Sequence, residues 1–128
     1  MSNYVNFYVK EKSKDGYIHI LSMNGGSDLY SAFRDFCGHN NNDKVLITND
    51  ILQTINEDIM NSINNMEMQL EAYKDYPNLE VEMEDILETR KFIIEHKRLQ
   101  AQIELISYMV DECKFDHCNN EGLYIDLD

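Results

Sequence analysis

Apolar and polar positions change period along this chain, and the change divides it. Tyr4-Val5-Asn6-Phe7-Tyr8-Val9 and Tyr17-Ile18-His19-Ile20-Leu21 are rich in β-branched and aromatic residues, as half-buried strands are. The polar link from Lys10 to Gly16, ending in Asp15-Gly16, predicts a β-hairpin between them. Asn24-Gly25-Gly26 ends the second strand, and Ser27 or Asp28 can cap a short helix in which Leu29, Tyr30, Phe33 and Phe36 or Cys37 recur at helical spacing. Gly38 is placed to end it. His39 to Asp43 reads as a loop, Val45-Leu46-Ile47 as a short third strand, and Thr48, Asn49 or Asp50 as the next N-cap.

From there the period is helical. Leu52, Ile55, Ile59, Ile63, Met66, Leu70 and Tyr73 follow at steps of three or four, one stripe along a long helix. Tyr76-Pro77-Asn78 interrupts it, because proline disfavours the helical conformation in the residue before it and suits the start of a new helix. The chain should reverse here. A second stripe begins with Leu79, Met83, Ile86 and Ile93 and continues through Phe92, Leu99, Ile103, Ile106, Val110 and Cys113, with His96 on the same face. A helix over 79–113 would be about 50 Å long, against a radius of gyration of about 14 Å for a compact globule of this size, so the hairpin must project. Leu123-Tyr124-Ile125-Asp126-Leu127 alternates enough to be a last strand that pairs with the N-terminal hairpin.

The expected fold is therefore α+β: a small N-terminal antiparallel sheet with one short helix (1–48), a long antiparallel helical hairpin (49–115), and a C-terminal tail or strand (116–128). Ile51, Met60, Met68, Leu87, Ile94, Leu105 and Met109 lie off the main stripes. A second copy of the hairpin, forming a four-helix bundle dimer, or else the N-terminal sheet, should cover them.

Charge sharpens this division. The net charge is −13 over 128 residues, yet residues 1–45 hold five bases and five acids, so the whole excess lies beyond them. Between Asp50 and Glu88 there are eleven acids and one base, Lys74. Such a segment repels nucleic acid and anionic membrane and attracts basic surfaces. Its acids Glu57, Asp58, Glu67, Glu71, Glu80, Glu82, Glu84, Asp85 and Glu88 are the expected partner-binding face. No stretch approaches the roughly 20 apolar residues of a membrane span, and the N-terminus lacks the pattern of a secretory signal. Three cysteines at no framework-like spacing fit a reducing compartment. The expected location is cytoplasmic.

Candidate chemistry is sparse. Cys37-x-His39 and Cys113-x-x-x-His117-Cys118 are the only metal-like grouping, and they lack the Cys-x-x-Cys spacing of structural zinc sites. Glu84 and Glu88 stand one helical turn apart, but acid and base work needs carboxylates in a cleft with separated pKa values. There is no Gly-x-Ser-x-Gly and no glycine-rich phosphate loop. Neither cofactor nor catalysis is expected. Seven aromatics crowd the first 36 residues, more than one small sheet face needs. Tyr8, Tyr17 and Tyr30 are the candidates for an exposed recognition patch, with Lys10, Lys12, Lys14 and Arg34 to meet phosphate if a base stacks there.

With fourteen asparagines, thirteen isoleucines and one proline, the chain has the composition of AT-rich coding. A small acidic chain of this kind without catalytic motifs is similar in profile to phage-encoded inhibitors such as anti-CRISPR proteins, although no residue motif carries that likeness. The profile implies an inhibitor, active in the host cytoplasm, that self-associates through its hairpin and occludes a basic surface of a nucleic-acid-handling host protein. A nucleotide-sequestering protein and a coiled-coil assembly protein are the alternatives.

Overall fold

A computed structural model describes residues 4–11, 15–24, 26–37, 44–75, 83–115 and 120–127. The first hairpin forms where the alternation predicts it, as β1 (Tyr4–Glu11) and β2 (Ile18–Asn24). They are followed by helix α1 (Gly26–Cys37), strand β3 (Val45–Leu46), helices α2 (Asn49–Asp75) and α3 (Met83–Phe115), and strand β4 (Asn120–Leu127). The fold is α+β, with an N-terminal antiparallel sheet, a long helical hairpin and a C-terminal strand.

The sheet order is β2-β1-β4-β3, so the last strand lies inside the sheet between β1 and β3. Val5, Phe7, Leu123, Ile125 and Leu127 turn to one face and are buried there with Leu29 and Phe33 of α1. The same cluster continues into the hairpin through Leu52, Ile55, Ile59 and Ile63 of α2 and Leu99, Ile103, Ile106 and Val110 of α3. All helices therefore lie on one side of the sheet. The 3.6-residue period puts each of these hairpin side chains on the buried face.

Two irregularities shape the sheet. Phe7 faces Leu21 but Tyr8 faces His19, so β2 carries one extra residue, Ile20. A bulge of this kind twists an edge strand and discourages edge-to-edge pairing. In β4, the register shifts between the partners of Val9 and Glu11, beside Gly122, whose φ is +146°. A Cβ there would lie 2.8 Å from Leu46 Cδ1.

Thr48 is the residue that caps α2: its hydroxyl accepts a hydrogen bond from the Ile51 amide at 3.3 Å, and its carbonyl accepts one from the Leu52 amide at 3.2 Å. Helices α2 and α3 run antiparallel, with Glu67 Oε1 3.5 Å from Lys97 Nζ. Ile63 and Leu99 are the outermost hairpin members of the core cluster, so the far part of the hairpin projects beyond the sheet.

Some expected stripe positions differ. Met83 and Phe92 are exposed, because α2 contacts the side of α3 that carries Ile86, Ile93 and Leu99. Ile51 and Met109 pack against the core instead of needing a second copy. Met60, Met68, Leu87, Ile94 and Leu105 remain exposed. The Tyr76–Asn78 interruption, Leu79 and the loop from Gly38 to Asp43 lie outside the described residues.

Candidate recognition face on the open side of the sheet

A strand buries every second residue, and the residues between the core positions form a second face that none of the described helices covers. On β1 these are Tyr4, Asn6, Tyr8 and Lys10, opposite Ser22 and His19 of β2 and Tyr124 and Asp126 of β4. Leu46 of β3 faces Tyr124. This face is aromatic and basic, in contrast to the acidic hairpin.

The aromatic rings touch edge to face. Tyr17 lies 5.1 Å from Tyr124 and 6.4 Å from Tyr8, ring centre to ring centre, and His19 lies 5.3 Å from Tyr8. The positive edge of one ring meets the negative face of the next in such contacts. Two ammonium groups sit over them. Lys44 Nζ is 4.6 Å from the centre of Tyr8 and 5.2 Å from that of Tyr17, and Lys10 Nζ is 5.6 Å from Tyr17, all within cation–π range.

Beside the rings runs a chain of polar contacts across three strands. Asn6 Nδ2 donates to Asp126 Oδ1 at 2.9 Å, the Ser22 hydroxyl donates to Asn6 Oδ1 at 2.6 Å, and His19 Nε2 is 2.8 Å from the Ser22 hydroxyl. Lys44 Nζ stands 3.5 Å from Asp126 Oδ2. Asp126 is only 8% exposed, and a carboxylate so buried requires such partners. They hold Lys44 in place above the rings.

The sequence-derived candidates are thus divided. Tyr8 and Tyr17 belong to the cluster, whereas Tyr30 lies on α1 and packs against the core. Arg34 is exposed on the same helix, on the opposite side of the sheet from the rings. Lys12 and Lys14 lie outside the described residues. His19, Lys44, Tyr124 and Asp126 were not among the candidates. Alternation in β2 and β4 was the signal for His19, Tyr124 and Asp126, Lys44 had none, and only the strand order shows that these residues converge.

Among the acids, Glu57, Asp58, Glu67 and Glu71 are exposed on α2, and Glu84, Asp85 and Glu88 are exposed at the start of α3. Glu80 and Glu82 lie outside the described residues. The structure does not gather them on one face. Glu67 and Glu71 lie on the flank of α2 that meets Lys97 and Arg90 of α3, and Asp58 falls on the other flank at about 100° of turn per residue. Glu84 and Glu88 lie on the side of α3 turned away from α2. Two of the acids are already paired within the chain, Glu67 with Lys97 and Glu71 with Lys74 at 3.3 Å.

The metal-like grouping falls outside what the structure describes: His39, His117 and Cys118 entirely, Cys37 and Cys113 in their side chains. Among the described residues, no three His, Cys, Asp or Glu side chains come together as a metal site would require. A cleft of about 890 Å³ lies between the far ends of α2 and α3 and is lined by Leu70, Tyr73, Ile86 and Arg90. Among the described residues, no helix is long and apolar enough to cross a membrane. Compared with protein-family models, curated proteins and solved structures, the chain matches none.

Proposed function

We propose that this protein is a nucleotide-binding protein whose ligand lies on the open face of the sheet. The observation that carries this reading is the cluster of Tyr8, Tyr17, Tyr124 and His19 with the ammonium groups of Lys10 and Lys44 held over the rings. A planar base stacks on exposed aromatic rings, each such stack being worth about 1–3 kcal/mol, and a phosphate finds two cations at the same place. Tyr17, 42% exposed, and the exposed His19 supply the stacking surface. Lys44, held by Asp126, and Lys10 meet the phosphate.

The negative hairpin does not forbid this. Screening at physiological salt has a length of about 8 Å, and the acids of α2 and of the start of α3 lie on the helical side of the sheet or beyond it. Long duplexes would still be repelled by the hairpin, so the fitting ligands are mononucleotides and short single strands.

Titration with a panel of mononucleotides and short oligonucleotides, followed by NMR of the tyrosine rings, tests the proposal. Shifts confined to Tyr8, Tyr17 and Tyr124, with binding weakened at least tenfold by Tyr17→Ala and by Lys44→Ala, are expected. A panel that leaves those resonances unmoved at millimolar ligand overturns it.

A second reading is that the exposed acids of α2 and α3 occlude a basic surface of a nucleic-acid-handling protein. Their exposure supports it, and their spread over several sides of the hairpin makes a single docking face less well formed. Such a complex would weaken steeply with salt and would be insensitive to Tyr17→Ala.

A further inference from the structure

Helix α3 carries apolar residues on two opposite sides. One side, through Ile93, Leu99, Ile103, Ile106 and Val110, is buried. The other carries Leu87, Ile94, Ala101 and Tyr108, each seven residues after the last, with Met83 and Leu105 beside them. Met83, Leu87, Ile94, Leu105 and Tyr108 are 50–68% exposed, and Ala101 is exposed as well. A seven-residue repeat keeps one seam aligned along a helix that packs against another helix. This seam runs for about 38 Å at 1.5 Å per residue, and none of the described residues covers it.

The charges along the seam show what fits it. Nearest to it, the first half carries Arg90, Lys91, Lys97 and Arg98 and the second half Glu104, Asp111 and Glu112, all exposed. Glu84 and Glu88 stand farther round on the same side at about 100° of turn per residue, and Lys97 also lies 3.5 Å from Glu67 of its own α2. When a second α3 is laid antiparallel with Ala101 on the two-fold axis, Ile94 comes opposite the partner's Tyr108. Within one residue of level, Arg90 meets the partner's Asp111, Lys97 the partner's Glu104 and Lys91 the partner's Glu112. The smallest side chain of the seam then sits where the helices come closest. A parallel arrangement would instead set each base against its own copy, and like charges so placed repel.

We infer that α3 is the self-association face of this protein and that its occupant is the α3 of a second copy, antiparallel about Ala101. Each pair of contacts then occurs twice, as a two-fold interface requires. Each α2 and each sheet lies on the far side of its own α3, so the open sheet face stays accessible in the dimer. The inference is independent of what that face binds.

Sedimentation of the full chain over a concentration series tests it. The expected result is a mass that doubles with concentration, with dimerisation weakened at least tenfold by Ile94→Glu, whose exposed position leaves the helical circular dichroism unchanged. Charge reversal gives the orientation. Arg90→Glu with Lys97→Glu makes that flank wholly acidic and abolishes the dimer, and Glu104→Lys with Asp111→Lys makes it wholly basic and does the same. All four changes together restore self-association, because the pattern is inverted but again self-complementary. A chain that stays monomeric at every concentration, a dimer that survives Ile94→Glu, or a fourfold variant that fails to associate would each overturn it.

Discussion

Asp126, two residues from the end of the chain, accepts a hydrogen bond from Asn6 at 2.9 Å, so the last strand is tied to the first across 120 residues of sequence. The same carboxylate holds Lys44 at 3.5 Å. One buried acid thereby joins β4 to β1 and to the residue that leads into β3, and it sets the ammonium group that lies over Tyr8 and Tyr17.

Replacing that acid leaves the Asn6 amide and the Lys44 ammonium with a lost partner. Asp126→Ala is expected to destabilise the fold by about 1–3 kcal/mol, the usual cost of orphaning buried polar groups. Urea unfolding measures it. Nucleotide binding should fall with it, even where the variant remains folded, because Lys44 loses its anchor.

Gly122 combines a φ of +146° with a space that a Cβ would share with Leu46 Cδ1 at 2.8 Å. Gly122→Ala should cost about 1–3 kcal/mol, as a non-glycine residue held in such a conformation does. Thermal unfolding would show it as a lowered midpoint, whereas Gly16→Ala, where φ is +123° but no atom lies within 4 Å, should cost less.

The two sides of α3 make opposite predictions for the same change of residue type. Ile106, fully buried, should cost about 2–5 kcal/mol when truncated to alanine. Ile94→Ala, at 68% exposure, should change the stability of the dilute monomer by no more than about 0.5 kcal/mol. Denaturation at low protein concentration separates this from any effect on self-association.

Tyr108 titrates above the ordinary tyrosine value of 10.0, first because its hydroxyl hydrogen-bonds to Glu112 and then because that carboxylate's charge opposes a phenolate. The neutral phenol is the favoured form. Its contribution is therefore present below the unfolded value and is lost as pH rises through the raised one. NMR titration should show Tyr108 ionising after an exposed reference tyrosine, and Glu112→Gln should bring it back towards the ordinary value.

Much of this architecture was legible in one dimension. The alternation of Tyr4–Val9 and Tyr17–Leu21, the change to helical spacing after Thr48, the cap itself and the long hairpin all follow from local rules, since side-chain period and capping chemistry act over a few residues. Leu87, Ile94 and Leu105 of the seam were also legible there, as apolar residues off the main stripe through Leu99 and Ile106. Burial adds Tyr108 to them and separates them from Ile51 and Met109, which the core takes in.

What only the tertiary structure decided is who stands beside whom. The alternation of Leu123 to Leu127 marks a strand and its two faces, but it is the same whether that strand lies at an edge or between β1 and β3. Closing a loop of a hundred residues costs little more than closing one of fifty, so sequence separation does not choose the neighbour. The shared core of Val5, Phe7, Leu123 and Ile125 does. Once that core places β4 against β1, register carries Tyr124 to Tyr8 and Asp126 to Asn6, and the recognition face exists.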